Sequence, residues 1–375
     1  MCIRDSTYAD KKLKFDQFTS DWEGNHISGS AILPLDFDLA SKDKSWYSDG
    51  KMSVKTEVAV RSATFLSTFI SEADSIIGDI NIKLEINGYP DELIRDGEVS
   101  INNGSVYTIL MDEPLSQISA SAELINNNMK INSFNSSLYD SDLNRNLENN
   151  LMVKGNIDFN QFFEPKYNLR LLGDNIFFRS LNGDIEAYGD LDLTIDGKDT
   201  LNIVGTVTAK NGAIYKEFSS DETVELAEEK GRTTTNYNIR FPIEDSFSIR
   251  NSQIDAKVAG ELAMSRQFES DWNYSGEINF IEGKIYYYLG DVFEDLNGSM
   301  TLDGEGFNPY LELTASTQIG DAKIMLGVFG AFDNPEWTFD SDKGYTESDI
   351  LQLLTFNTRV AEEGFTTEGL SLIHI

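Results

Sequence analysis

The chain has 375 residues, with 63 acidic side chains against 30 basic ones and a formal net charge of −33. This charge repels nucleic acid and anionic membrane surfaces at long range, and no basic patch reverses it locally, so we expect no nucleic-acid partner. The hydrophobic fraction of 40% and the aromatic fraction of 11% are those of a folded chain rather than of a disordered acidic tail.

Both ends of the sequence are interpreted as adapter scars and not as native protein. MCIRDS, at 1–6, can be translated from a transposase end that is used to prepare sequencing libraries, and LSLIHI, at 370–375, from its reverse complement. Cys2 and His374 are set aside with them, so the remainder has no cysteine and a single histidine, His26. We expect the natural protein to continue beyond both ends, so a missing signal peptide or membrane anchor does not argue for the cytoplasm.

Strands with one apolar and one polar face are predicted along the whole chain. The period-two alternation is clearest in GDINIKLEI (78–86), GDLDLTI (189–195), YNIRFPI (237–243) and YLELTAS (310–316). We therefore predict an all-β fold built on an elongated, curled antiparallel sheet of roughly 25 to 30 strands.

Hairpin turns are predicted at Asn-Gly and Asp-Gly pairs, because these dipeptides accept the positive φ of tight turns. The pairs are Asn87-Gly88, Asp96-Gly97, Asn103-Gly104, Asn182-Gly183, Asn211-Gly212, Asn297-Gly298 and Asp303-Gly304.

Helical signals are few. Residues 62–74 group aromatic and aliphatic side chains at helical spacing, and Thr346 with Asp349 forms a candidate capping box ahead of ILQLL. Polar composition predicts a long surface loop over 219–236 and a second irregular connection over 134–150.

One phrase recurs three times in the chain, as GEVSINNGSVY (97–107), GTVTAKNGAIY (205–215) and GEINFIEGKIY (276–286). In the second and third copies, a preceding glycine followed by an acid stands 16 residues upstream, and the next glycine stands 7 residues downstream. Such spacing predicts stacked units that cover one another, although glycines also recur by coincidence in a hairpin-rich chain.

Because almost no helix is available to cover the apolar faces, the sheet must curl over itself around an apolar groove. We predict that the groove is lined by ten side chains, for each of which a place in an ordinary packed core is the alternative. They are Ile80, Ile82, Leu84, Leu191, Leu193, Ile195, Ile278, Phe280, Leu311 and Leu313.

Four motifs occur in a fixed order over 255–356. They are a strand ending in Gly-x-Ile-Tyr at Gly283, a strand introduced by Asn308-Pro309, a turn over 330–335 that begins with glycine and ends in acid-Asn-Pro, and an acidic helix start at 346–351. In the order and spacing of these motifs, the region resembles the C-terminal domain of the TamB family, the translocation and assembly module proteins related to the AsmA-like proteins. The similarity is looser over 165–254, and the 219–236 insert departs from the pattern.

The resemblance implies a periplasm-spanning protein of the Gram-negative cell envelope, anchored in the inner membrane through a missing N-terminus. It implies a role in outer-membrane biogenesis, as a carrier of phospholipid acyl chains along the groove or in outer-membrane protein assembly with an Omp85-type, TamA-like barrel. We expect a monomer. The expected organisation is a β-repeat region over 7–164, a TamB-like domain over 165–356 and a truncated segment over 357–369.

Enzymatic function is not predicted. His26 has no visible partners for a triad, and the sequence contains no phosphate-binding loop, histidine metal pair or complete calcium-binding loop, so we expect neither a cofactor nor a metal. A polysaccharide-cleaving β-helix is a weak alternative that rests only on abundant carboxylates. The stronger alternative is a structural or adhesive acidic β-solenoid at the cell surface, with a filled interior and acidic loops that bind calcium.

Overall fold

The structure is a computed structural model that describes most of the chain. The described residues are 2–22, 24–37, 48–62, 73–108, 112, 114–140, 145–146, 150–162, 164–180, 182–217, 234–268, 270–287 and 292–356. Within them the chain forms twenty strands and one helix.

The strands are β1 (Cys2–Ala9), β2 (Lys12–Trp22), β3 (Asn25–Leu33), β4 (Met52–Ser62), β5 (Ala73–Tyr89), β6 (Glu92–Thr108), β7 (Leu115–Ile125), β8 (Asn128–Asp140), β9 (Arg145–Asn146), β10 (Leu151–Asp158), β11 (Lys166–Arg179), β12 (Ile185–Gly197), β13 (Thr200–Ile214), β14 (Thr234–Arg250), β15 (Ile254–Arg266), β16 (Asn273–Tyr286), β17 (Val292–Glu305), β18 (Tyr310–Ile319), β19 (Ala322–Ala331) and β20 (Glu336–Ser341). The helix is α1 (Glu347–Phe356).

The architecture confirms the all-β prediction. A single open, curled sheet contains nineteen strands that pair in chain order, and the short β9 pairs only with the end of β8. The sheet is mostly antiparallel, as expected. Its extent across the strands is about 85 Å at the usual spacing between neighbours.

The strand count is lower than predicted because the strands are long. β5, β6 and β14 have 17 residues each. The Asn-Gly and Asp-Gly turn predictions were wrong in every case except Asn182-Gly183, since the other six pairs lie inside strands. The tight turns use other residues, such as Asp10-Lys11 and Asn126-Asn127, all four with positive φ.

Glycines inside strands serve the curl of the sheet instead. Gly205 and Gly276 have φ of 154° and 122°, in the region that favours glycine. A Cβ at these positions would overlap the carbonyl oxygens of Asp192 and Glu261 on the neighbouring strands. The missing side chain therefore permits a close approach of backbones, which a substituted residue would prevent.

The three copies of the repeated phrase occupy three antiparallel hairpins, β5–β6, β12–β13 and β15–β16. Each hairpin contains a register shift beside the last glycine of the phrase, which is Gly104, Gly212 or Gly283. The shift leaves one extra residue on the second strand of the hairpin. Such a bulge bends a strand and increases its twist. The repeated phrase is therefore a repeated, bulged hairpin that contributes to the curl.

One pair of neighbouring strands departs from the predicted antiparallel pattern. β13 and β14 are parallel, with Ile203 opposite Tyr237. Parallel neighbours need a connection that runs back to the starting edge, which a hairpin turn cannot supply. The polar stretch predicted as a loop over 219–236 lies in this connection. Its last residues begin β14, and the others lie outside the described residues.

Two further predictions fall partly outside the described residues. The helix predicted over 62–74 is one of them, since only its first and last residues are described, as parts of β4 and β5. The irregular connection predicted over 134–150 begins instead as regular strand, because β8 continues to Asp140.

The packed core lies at the C-terminal end of the sheet. Side chains from β14 to β19 and from α1 form one buried cluster in which Phe293, Ile324 and Ile350 are fully buried. The predicted capping box is confirmed: the Thr346 backbone N–H donates to Asp349 Oδ2 at 3.2 Å, and the Asp349 N–H donates to Thr346 Oγ1 at 3.3 Å. The cap fixes the start of α1, and the helix closes this end of the sheet.

The two long edges of the sheet differ from β4 to β14. The turn edge has the short connections 90–91, 126–127, 159–165 and 198–199. The loop edge has the connections 63–72, 109–114, 141–150, 180–184 and 215–233, which are longer in most cases. Both groups of connections alternate along the chain, as hairpins require, and 215–233 differs because it leads from the loop edge back to the turn edge, where the parallel strand β14 begins.

Candidate functional site

All ten predicted lining residues lie on the apolar face of the sheet, but their burial differs. Five are buried: Ile80, Ile278, Phe280, Leu311 and Leu313. Four of these five, all except Ile80, belong to the C-terminal packed cluster. The other five are half-buried: Ile82, Leu84, Leu191, Leu193 and Ile195.

Two of these half-buried residues, Ile82 and Ile195, belong to a continuous line of inward-facing positions that crosses ten strands in register. We call this line the apolar row. It consists of Val58, Ile82, Val99, Ala122, Ile131, Gly155, Leu169, Ile195, Ile203 and Tyr237. Every member is half-buried, and the row extends for about 43 Å across the strands.

A second line runs beside the apolar row, one inward-facing position closer to the turn edge. Its six members are paired in register across six strands and are also half-buried. They are Leu84, Gly97, Leu124, Met129, Ile157 and Tyr167. The two lines form the floor of an apolar groove from β4 to β14. Because these apolar side chains are only half-buried, an apolar ligand can contact them.

The groove is closed along the loop edge and more open toward the turn edge. Inward-facing side chains near the loop edge are buried: Val60, Ile80, Ile118 and Ile176. The corresponding positions nearer the turn edge stay half-buried. From β15 onward the interior is filled, so the open groove gives way to a packed core there.

The outer face carries ion pairs between neighbouring strands. Lys55 Nζ lies 2.9 Å from Glu85 Oε1, and Arg170 donates to both carboxylate oxygens of Asp192. The hydrogen bond and positive charge of Arg170 lower the pKa of Asp192 below its ordinary value. The exterior is therefore solvated and charged, while the interior is apolar.

Two arginines on the apolar face were missed at the sequence level. Arg95 lies opposite Ile86, and Arg266 lies opposite Tyr237, at the end of the apolar row. The signal was present, because in LIRDGEV and in LAMSR each arginine occupies a position that the alternation reserves for an apolar residue. Burial lowers the pKa of Arg95 below its ordinary value.

Metal-binding geometry is not found in the described part of the chain. It contains no group of three or more His, Cys, Asp or Glu side chains that could hold a metal ion. His26 is exposed near the start of β3, with Nδ1 2.7 Å from Asp21 Oδ1. No helix among the described residues is long and apolar enough to cross a membrane.

These features define a class of protein: an elongated, curled β-sheet with a charged exterior and a half-open apolar interior. The chain belongs to the TamB family, since the model of the TamB C-terminal domain matches residues 141–372. No curated protein matches the chain significantly.

Family membership gives a general function. The family consists of non-enzymatic proteins of the Gram-negative envelope that act in outer-membrane biogenesis or assembly together with an outer-membrane partner.

Proposed function

We propose that the chain carries phospholipid along the apolar groove between the two membranes of the Gram-negative envelope. The apolar row is the observation that supports this proposal. Each methylene that leaves water for an apolar surface gains about 0.8 kcal/mol, so acyl chains are favoured ligands for the groove.

Movement of a lipid also requires that no position along the groove hold it too firmly. From Val58 to Tyr237, every member of the apolar row is uncharged, and nearly all are aliphatic. An acyl chain that advances by one strand therefore exchanges one hydrocarbon contact for a similar one, and the free energy changes little at each step.

Family membership suggests several further parts of the proposal, and to these we add a monomeric state. The protein acts without catalysis, as a monomer anchored in the inner membrane, and delivers its cargo with an Omp85-type barrel as partner. The charged outer face, with pairs such as Lys55–Glu85, supports a location in an aqueous compartment.

A filled solenoid with a structural or adhesive role is the competing interpretation. It requires an interior that is packed along its whole length, like the cluster around Phe293 and Ile324. The half-buried side chains from β4 to β14 favour the carrier instead, because a purely structural interior has no use for incompletely covered apolar surface.

The proposal is tested by a pair of adjacent substitutions on β13. Ile203 belongs to the apolar row, whereas Val204 points to the opposite face and is 42% exposed. Ile203→Glu introduces a charge into the groove, and Val204→Glu adds the same charge to the solvated face.

The measurement is native mass spectrometry with lipid extraction on protein purified from cells without denaturation. We expect phospholipid to accompany the unmodified chain and Val204→Glu, and to be lost from Ile203→Glu at unchanged circular dichroism. Lipid-free, well-folded unmodified protein would contradict the carrier and favour the filled solenoid.

A further inference from the structure

Arg95 and Arg266 differ from several basic side chains of the outer face. Lys55, Arg170 and Arg240 each lie within ion-pair distance of a carboxylate on a neighbouring strand. Arg95 and Arg266 make no ion pair with any residue that the structure describes. The chain has about twice as many acidic as basic side chains, so partners for a guanidinium group are abundant. Two guanidinium groups that stay unpaired on an apolar face therefore require an explanation.

Arg95 is held in place by neutral groups. Its Nη1 donates to Asn127 Oδ1 at 3.1 Å and to the Phe159 carbonyl oxygen at 3.3 Å. The guanidinium carbon lies 5.3 Å from the centre of the Phe162 ring. Among the described residues, Nε and Nη2 of Arg95 have no acceptor. These two nitrogens form one side of the guanidinium fork, and they remain free for an anion.

Arg266 has a similar environment. Its guanidinium carbon lies 5.5 Å from the centre of the Trp272 ring, and that ring packs on Tyr237 at 5.2 Å, the last member of the apolar row. Nε donates to the Ser270 carbonyl oxygen at 3.2 Å. Both terminal nitrogens of Arg266 have no acceptor among the described residues.

Both arginines lie at the turn edge, toward which the groove is more open. Arg95 is near the start of β6, and Arg266 is the last residue of β15. They are eight strand spacings apart, about 38 Å. One leaflet of hydrocarbon is about 15 Å thick, so one lipid cannot bridge the two arginines, and they are separate positions along one groove.

We propose that Arg95 and Arg266 bind the phosphate of a glycerophospholipid headgroup while the acyl chains of that lipid lie on the apolar row. The inference rests on the proposed function and specifies its substrate class. A guanidinium fork matches the geometry of phosphate oxygens, and the aromatic ring beside each arginine holds the fork in position. The net charge of −33 disfavours free anions, so the hydrocarbon contact provides the attraction that overcomes this repulsion.

The test compares two ligands that share one acyl chain. Palmitoyl lysophosphatidylglycerol has the phosphate, and monopalmitoylglycerol lacks it. Their affinities for the full chain are measured below micelle-forming concentrations, by displacement of an uncharged fluorescent fatty ester. We expect the phosphate-bearing ligand to bind about tenfold more tightly, since hydrogen bonds to charged groups have about this effect.

Three variants complete the design. R95Q/R266Q is expected to lose the preference for the phosphate while it still binds monopalmitoylglycerol. R266Q alone, which loses a single hydrogen bond to protein, is expected to lose part of the preference, so the inference stays testable if the double variant does not fold. R240Q removes one positive charge from the outer face, as R266Q does from the apolar face, and is expected to behave like the unmodified chain.

The outcomes separate the two proposals. An unchanged preference in R95Q/R266Q and R266Q, or an equal loss in R240Q, overturns the assignment of these arginines while leaving the acyl groove intact. Displacement by glycerol phosphate alone, as effective as by the lipid, overturns the headgroup assignment in favour of a free-phosphate site. Binding of neither lipid by the unmodified chain overturns the proposed function and this inference together.

Discussion

Because α1 closes the C-terminal end of the sheet, the loss of stability on truncating Ile350 can be predicted quantitatively. This side chain is fully buried in the packed cluster, whereas the adjacent Leu351 is 37% exposed on the same helix. Ile350→Ala removes about three methylene equivalents, or about 2.5 kcal/mol of transfer free energy, and the residual cavity adds about 1 kcal/mol more. Leu351→Ala is expected to cost less than about 1 kcal/mol, because the site is partly solvated and alanine favours the helix.

The effect of Ile350→Ala is expected to be local. Each strand contacts mainly its neighbours along the sheet, as in repeat proteins, so a loss at one end need not reach the other. Hydrogen exchange resolves this directly: amides of β19 and β20 are expected to exchange more than about 100-fold faster in Ile350→Ala, with amides of β5 and β6 unchanged. Equal acceleration in β5 and β6, or equal effects of Ile350→Ala and Leu351→Ala, would refute the separation of a packed end from an open groove.

Two further predictions concern the curl and the outer face. Gly276→Val forces a side chain against the Glu261 carbonyl at positive φ, so thermal unfolding followed by circular dichroism should show a loss of about 2 kcal/mol or more. Ser275→Val, on the same strand, is the control, and a similar loss there would contradict the backbone argument. Because Arg170 lowers the pKa of Asp192, their pairing stabilises the fold fully above the ordinary aspartate pKa and is lost as the pH falls through the lowered value. Asp192→Asn should therefore reduce the acid dependence of stability between these two values, and an unchanged pH profile would count against the pair.

The strands were predictable because their faces differ chemically. The alternation around Ile82 and around Leu193 identifies which side chains face inward, and the register of the sheet places both on the apolar face. The start of α1 was predictable for a similarly local reason, since the Thr346–Asp349 cap involves residues three apart.

The turns were predicted poorly because one local signal has two physical uses. A glycine with positive φ can close a hairpin, or it can let a long strand curve closely past its neighbour. Gly88 and Gly298 have positive φ inside strands, and a Cβ on either would overlap a carbonyl oxygen of the adjacent strand. Which use applies depends on the partner strand, and a single sequence does not specify that partner.

The parallel pair and the arginines were missed for different reasons. The parallel pairing of β13 with β14 depends on the path of a long connection, which local patterning does not encode. Arg95 and Arg266 were visible as breaks in the alternation, but their significance depends on the absence of nearby carboxylates. That absence is a property of the folded sheet.

The two edges of the groove differ in how well they tolerate insertions and deletions. Connections at the loop edge, such as 63–72 and 109–114, can gain or lose residues at little entropic cost, because the closure term grows only logarithmically with length. Two-residue turns such as 90–91 and 126–127 fix the register of the strands that they join, and one inserted residue there shifts an entire strand. Insertions and deletions among homologues should therefore accumulate at the loop edge, while the two-residue turns of the turn edge keep a constant length.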